Sequence, residues 1–159
     1  MPGSAASILD QFRQSVRGMV FRTAINRWTI PCLDRRFPAK STGAEGERAA
    51  ERYLRSLGWI TLARNYLAAH GELDLVMVDL KKVVFVEVKS WRHHRDGQSP
   101  AEAVTEDKEK ALGLAAMEYL QQHHLLRQAC RFDVVAVWLD QKPARVRHYQ
   151  SAFDPPVDW

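Results

Sequence analysis

Residues 71–90 read GELDLVMVDLKKVVFVEVKS. Gly71 to Asp79 and Lys82 to Ser90 are two runs rich in β-branched and apolar residues. The Asp79-Leu80-Lys81-Lys82 link is short enough to fold them into an antiparallel hairpin. Side chains alternate along a strand, so Val84, Val86 and Val88 share one face while Val83, Phe85, Glu87 and Lys89 share the other. In the first run, Glu72, Asp74, Val76 and Val78 stand opposite in phase to Leu73, Leu75 and Met77. The unbroken apolar run before Glu87 marks an internal strand covered on both faces, where an ion is costly unless compensated. Glu87 and Lys89 point the same way and compensate each other, which a structural ion pair at a strand end would also explain. Asp74 interrupts its strand in the same manner, although Asp is disfavoured there. The hairpin turn closes the far end of both strands, so Asp74 and Glu87 lie towards one end. Two carboxylates converging there repel and raise one pKa, and a divalent cation between them removes that penalty. Hard oxygen ligands suit Mg²⁺ or Mn²⁺, with water and phosphate oxygens completing the shell.

Upstream of this hairpin, Thr42-Gly43-Ala44-Glu45 matches a capping box. Gly46, Ala49, Ala50, Tyr53, Leu54 and Leu57 follow at helical spacing, and Gly58 supplies a stop. Residues 60–67 read as a first, less regular strand. Downstream, a polar loop runs from Trp91 to Gln98, and Ser99-Pro100-Ala101-Glu102 repeats the capping pattern. That helix extends through Val104, Leu112, Ala115, Ala116, Tyr119 and Leu120 to about His124. Arg131 to Leu139 reads as a buried strand, Val146 to Tyr149 as a short edge strand, and the tail 151–159 as loop. The order α-β-β-β-α-β predicts an α/β domain over residues 43–150, with a mixed central sheet flanked by helices.

Composition bounds the function. The chain has 159 residues, 46% hydrophobic and 26% charged, which fits one globular domain with a real core. No apolar run reaches the ~20 residues of a transmembrane helix. Cys32 and Cys130 have no redox or zinc-knuckle spacing, and a reducing cytoplasm is the expected compartment. The net charge of +4 sits in an appendage: residues 1–40 carry seven basic and two acidic groups, the remainder 16 basic and 17 acidic. Within residues 1–42, Ile8, Leu9, Phe12, Val16, Met19 and Val20 fall near one helical stripe, with arginines elsewhere. This basic arm is open to several readings: docking to a partner, a nucleic-acid or membrane-surface contact, a transit segment, or packing on its own domain. A nearly neutral domain must act through a site rather than through bulk field.

Two more charges break a helical pattern. Glu47 shares a stripe with Ala50, Leu54 and Leu57, and Lys108 with Val104, Leu112 and Ala115. A first-turn carboxylate and a snorkelling lysine are the structural alternatives. Glu47, Asp74 and, thirteen positions after Asp74, Glu87-x-Lys89 form a metal-dependent phosphodiesterase pattern. The metal would clamp the scissile phosphate, and the lysine would orient water and offset charge. The aromatic and basic loop Trp91-Arg92-His93-His94-Arg95 offers Arg92 and Arg95 as nucleic-acid contacts, with Lys108 nearby, although a plain solvated loop has the same composition. Arg131 and Asp133 flank Phe132 and read as a structural pair, and Trp59 and Trp138 as core.

Several segments together resemble the YraN family of small bacterial proteins, related to archaeal Holliday junction resolvases in the PD-(D/E)xK nuclease superfamily. They are Gly43-x-x-Gly46-Glu47-x-x-Ala50, Arg64-Asn65, Gly71-Glu72-Leu73-Asp74-Leu75-Val76, Val84-Phe85-Val86-Glu87-Val88-Lys89, Ala103-Val104 with Lys108, and Arg131-Phe132-Asp133-Val134-Val135. The resemblance implies a restriction-endonuclease-like core and a DNA endonuclease activity on branched or structured substrates. It also implies metal-ligand roles for Asp74 and Glu87, the catalytic lysine role for Lys89, and a supporting acidic role at the metal for Glu47. Where that family usually carries a basic residue two positions after the lysine, this chain has Trp91, and Arg92 follows. Junction cutting would require a two-fold homodimer. The competing readings are a non-catalytic nucleic-acid-binding protein on the same fold and an interaction factor docking through its arm.

Overall fold

The 71–90 hairpin forms as the alternation requires. In a computed structural model that describes residues 42–92 and 104–157, Gly71–Asp79 (β2) and Lys82–Trp91 (β3) pair antiparallel from Asp79↔Lys82 to Leu75↔Val86. Ile60–Ala68 (β1) adds antiparallel to β2, with a register shift between Thr61 and Ala63. Cys130–Trp138 (β4) runs parallel to β3, and Arg145–Phe153 (β5) closes the far edge antiparallel to β4. The result is a five-stranded mixed sheet in the order β1-β2-β3-β4-β5. A parallel neighbour needs a crossover, and the helix Glu106–Gln122 (α2) supplies it between β3 and β4. The helix Thr42–Ser56 (α1) precedes β1.

Each helix buries an apolar stripe on one side of the sheet. Ala49, Ala50 and Leu54 of α1 lie on Leu75, Met77, Val84, Val86, Val135 and Val137. On the other side, Leu112, Ala115, Ala116 and Tyr119 of α2 meet Val76, Val78, Phe85, Phe132 and Val134. The Tyr119 ring stands edge-on to Tyr66 at 4.9 Å and to Phe85 at 6.1 Å. Burying these rings is what fixes the helix to the sheet. Two glycines mark close approaches. A Cβ on Gly46 would lie 2.3 Å from Ser90 Cβ, so α1 seats against β3 only because that position is bare. A Cβ on Gly113 would lie 2.7 Å from Pro155 Cβ, where the C-terminal segment packs on α2.

Differences from the sequence expectations have local causes. The second helix begins at Glu106 with Thr105 as its N-cap, accepting from the Lys108 N–H, rather than at Ser99. Arg95, the Ser99-Pro100-Ala101-Glu102 box and the arm 1–41 lie outside the described residues. The last strand is longer than 146–149 and continues through Ser151, Ala152 and Phe153, three residues of the expected loop. Leu57, placed on the inward stripe, is 51% exposed, because α1 ends at Ser56 and the stripe stops with it. Trp59 is core, whereas Trp138 at the end of β4 is half-buried.

The Arg131–Asp133 pair forms and is part of a larger cluster. Asp133 is fully buried and accepts from Arg131 Nε at 3.1 Å and Ser151 N at 2.9 Å, with His148 Nε2 2.8 Å away. Arg131 also reaches Asp79 at 3.0 Å and lies over the Trp59 ring. Cationic and backbone donors around Asp133 supply what an interior carboxylate needs. Among the described residues, no helix is long and apolar enough to cross a membrane.

Candidate active site

The β2–β3 ladder stops at Leu75↔Val86, although both strands continue. Asp74 and Glu87 occupy the next position along. There the Asp74 carboxylate replaces a backbone partner: its Oδ2 accepts from Val88 N at 2.7 Å. On the other side of β2, Arg64↔Leu75 and Tyr66↔Leu73 bracket Asn65 opposite Asp74. Asn65, Asp74 and Glu87 therefore form one polar rung across three strands. Asn65 holds a left-handed backbone, φ 45°, which asparagine tolerates better than most residues.

Glu87 is 5% exposed. Its Oε1 accepts from Lys89 Nζ at 3.0 Å. Its Oε2 is buried without a hydrogen bond, with Lys108 Nζ at 3.4 Å. Burial raises the Asp74 pKa first, and the Glu87 and Glu47 charges raise it further; the Val88 N–H and Lys108 oppose them. The outcome is an Asp74 carboxyl pushed up to about 7. Burial, with a second carboxylate alongside, produces such a shift.

Glu47 in the first turns of α1 is half-buried and accepts from Asn65 Nδ2 at 2.8 Å. Its charge acts on Asp74, so it belongs to the same electrostatic cluster. Lys108, offered above as a nucleic-acid contact, turns to Glu87 from the first turn of α2. Arg92 bridges the start of α1, donating to Thr42 Oγ1 at 3.0 Å and to Glu45 Oε2 at 2.8 Å. It thereby ties the end of β3 to the two residues read as a capping box.

Glu51 was not among the candidates, yet it is buried at the same helix. It accepts from Thr61 Oγ1 at 2.7 Å and Arg64 Nε at 2.8 Å, with a further contact from the Arg64 guanidinium. Burial alone would raise its pKa; the Arg64 and Thr61 hydrogen bonds and the Arg64 and Arg55 charges outweigh it, and the carboxyl sits below its usual value. This pair locks α1 to β1 and so sets where Glu47 and Asn65 stand.

The residues fit a small hard cation. Among the described residues, no three His, Cys, Asp or Glu side chains form a ready-made cage. Mg²⁺ characteristically takes one or two carboxylates and keeps water or phosphate for the rest, and Asp74 and Glu87 offer that pair. The unbonded Glu87 Oε2 and the raised Asp74 pKa are both relieved by a cation placed between them.

An α/β domain with a five-stranded mixed sheet and two helices, compatible with a restriction-endonuclease-like fold, thus carries an acid pair and a lysine where its central hairpin splits. The chain belongs to the Uncharacterised protein family UPF0102, the YraN family, whose profile matches residues 46–137. It is similar to the UPF0102 protein of Rhodopirellula baltica, 42% identical over 117 residues and 70% of each chain. A UPF0102 protein of Bifidobacterium longum is 42% identical over 123 residues, covering 76% of this chain and 98% of its own. One from Pseudomonas aeruginosa is 41% identical over 119 residues, covering 73% and 94% respectively. The matched segment contains Glu47, Asn65, Asp74, Glu87, Lys89 and Lys108.

Proposed function

We propose that this UPF0102 protein is a divalent-metal-dependent endonuclease that hydrolyses phosphodiester bonds in DNA, with branched or structured DNA as its substrate class. The observation that carries the reading is the Asp74–Glu87 pair at the split, a half-buried acid beside a buried one, mutually repelling, and with one Glu87 oxygen left without a hydrogen bond. Asp74 and Glu87 would hold Mg²⁺ or Mn²⁺, and Glu47, tied to Asn65, adds negative charge behind Asp74. A bound ion of this kind polarises a phosphoryl oxygen and lowers the pKa of water. Lys89 spends one N–H on Glu87 Oε1, and its partly exposed ammonium has further donors to orient water beside a phosphate. Lys108 offsets negative charge from the opposite helix.

The test uses the full chain with a four-way junction and a linear duplex, in Mg²⁺ or Mn²⁺. Wild type is expected to cut, and Asp74→Asn, Glu87→Gln and Lys89→Ala each to lose cutting by at least about a hundredfold, the usual scale for losing one charge-stabilising group. Calorimetric titration of Mn²⁺ should give binding to wild type and none to Asp74→Asn. Cutting that survives all three substitutions would overturn the assignment.

A further inference from the structure

Residues paired in register stand on the same face of a sheet, so the ladders extend the acid rung outward. Parallel pairing sets Glu87 beside Val134, Lys89 beside Ala136 and Trp91 beside Trp138. Antiparallel pairing continues these to Tyr149, Arg147 and Arg145. The rung of Glu87 is therefore followed by Lys89–Ala136–Arg147 and then by Trp91–Trp138–Arg145, all on the face that bears the site.

The last rung is a row of flat groups. The Trp91 and Trp138 rings stack at 5.7 Å with 27° between their planes. The Arg145 guanidinium lies 4.2 Å from the centroid of Trp138, and that of Arg147 lies 5.0 Å from Tyr149. Arg145 and Arg147 are exposed and both indoles are half-buried. Among the described residues, helix α2 packs mainly on β1 and β2 and reaches β4 at Phe132 and Val134, three and two rungs short of the Trp91–Trp138 pair. Two partly exposed indoles stand here beside two exposed guanidiniums, two residues along β3 from Lys89.

We propose that Trp91, Trp138, Arg145 and Arg147 bind an unpaired stretch of DNA, with a base stacked on the indole pair and phosphates held by the arginines, and pass that strand to the Asp74–Glu87–Lys89 centre. This rests on the nuclease reading of that centre. Charge complementarity selects a polyanion, and stacking selects an unpaired base, because a base inside a duplex already has both faces covered by neighbours. Arg145 gives up an exposed cation–π contact when a base takes its place, and its N–H groups are then directed to phosphate. The surface thus assigns the substrate class: DNA with a single-stranded arm or gap beside the scissile bond.

A cross-strand aromatic pair stabilises a sheet whether or not DNA binds, so the readout must separate DNA forms. Fluorescence anisotropy in EDTA, with a labelled oligothymidylate and a labelled duplex of equal length, does so. Trp138→Ala and the surface pair Arg145→Ala/Arg147→Ala are each expected to weaken oligothymidylate binding about tenfold, the scale of losing one stacked base or its phosphate contacts. Duplex binding should change by less than about twofold, and Trp138→Phe, which keeps a stacking face, should retain most of the affinity. Equal losses on both DNA forms would overturn the proposal. So would unchanged oligothymidylate binding by the arginine pair, which leaves the indoles and the fold untouched. A dimer lost in Trp138→Ala with DNA binding intact would assign the surface to self-association instead. The two readings fail separately. Cutting by wild type with no effect of these substitutions removes the platform alone, whereas strand-selective binding without metal-dependent cutting removes the nuclease alone.

Discussion

Asp74→Asn removes one negative charge from the β2–β3 split and keeps an oxygen to accept the Val88 N–H. The wild-type carboxyl rises from 3.8 to about 7 on folding, first through burial and then through the Glu87 charge. At ~1.4 kcal/mol per pKa unit, ionising it in the folded state costs at most about 4 kcal/mol. Solvent reaches this half-buried group, so about 2 kcal/mol is the working value. The sign follows from linkage. A carboxyl whose folded pKa is raised gives its full stability below the unfolded value and loses it as pH climbs through the folded one. Relative to Asp74→Asn, wild type should therefore lose stability between about pH 4 and about pH 7 and stay lower above that. Urea denaturation in EDTA across this range measures the gap. Asp74→Asn is expected to be the more stable protein by about 2 kcal/mol at about pH 8, with the gap closing near pH 4. Adding Mn²⁺ should stabilise wild type and leave the variant unmoved, since an ion stabilises only the state that binds it. A gap independent of pH, or a variant less stable than wild type at high pH, would refute the account of a strained acid pair.

Three further outcomes are expected. Gly46→Ala places a methyl 2.3 Å from Ser90 Cβ and should lift α1 off β3, lowering stability by about 1–3 kcal/mol in urea melts, with loss of cutting as Glu47 moves. Glu51→Ala takes away the carboxylate that Arg64 and Thr61 share and should cost about 3 kcal/mol. Because the Glu51 pKa is lowered on folding, that cost should fade as pH drops below the usual carboxylate range, which acid-titrated melts would detect. Asp133→Ala leaves Arg131 and the Ser151 N–H without their buried acceptor and should cost about 3 kcal/mol or more by the same measurement, with little effect on Mn²⁺ binding.

The central hairpin was legible because its charges violate strict alternation in strands whose other residues are apolar on both faces. That alone brought Asp74, Glu87 and Lys89 together. What lay beyond was pairing between distant segments. Asn65 stands out in the sequence only through the Arg64-Asn65 match to the family, and its place opposite Asp74 depends on the β1–β2 register after a shift at Thr61 and Ala63. Glu51, four residues after Glu47, lies on the same helical face, but Arg64, which makes its burial tolerable, sits thirteen residues away on another element, so nothing local separates it from an ordinary helix carboxylate. Ser-Pro-Ala-Glu has the stronger capping pattern, yet Thr105 is the residue that caps α2 by accepting the Lys108 N–H. Trp138 looked like core from its apolar strand, but it lies on the rung past the cover of α2.

The parallel seam between β3 and β4 has a kinetic consequence. Every pair from Val83↔Cys130 to Trp91↔Trp138 joins positions 47 apart, whereas the β1–β2–β3 meander joins near neighbours. Closing the longer loop carries the greater entropic cost, so the meander zips first and docking of α2 with β4 is the slow step. The nascent meander thus holds Asp74 and Glu87 side by side before Lys108 arrives to balance them. In a growing chain, Lys89 on the same hairpin is for a time the one ammonium facing the acid pair, with the second still to come.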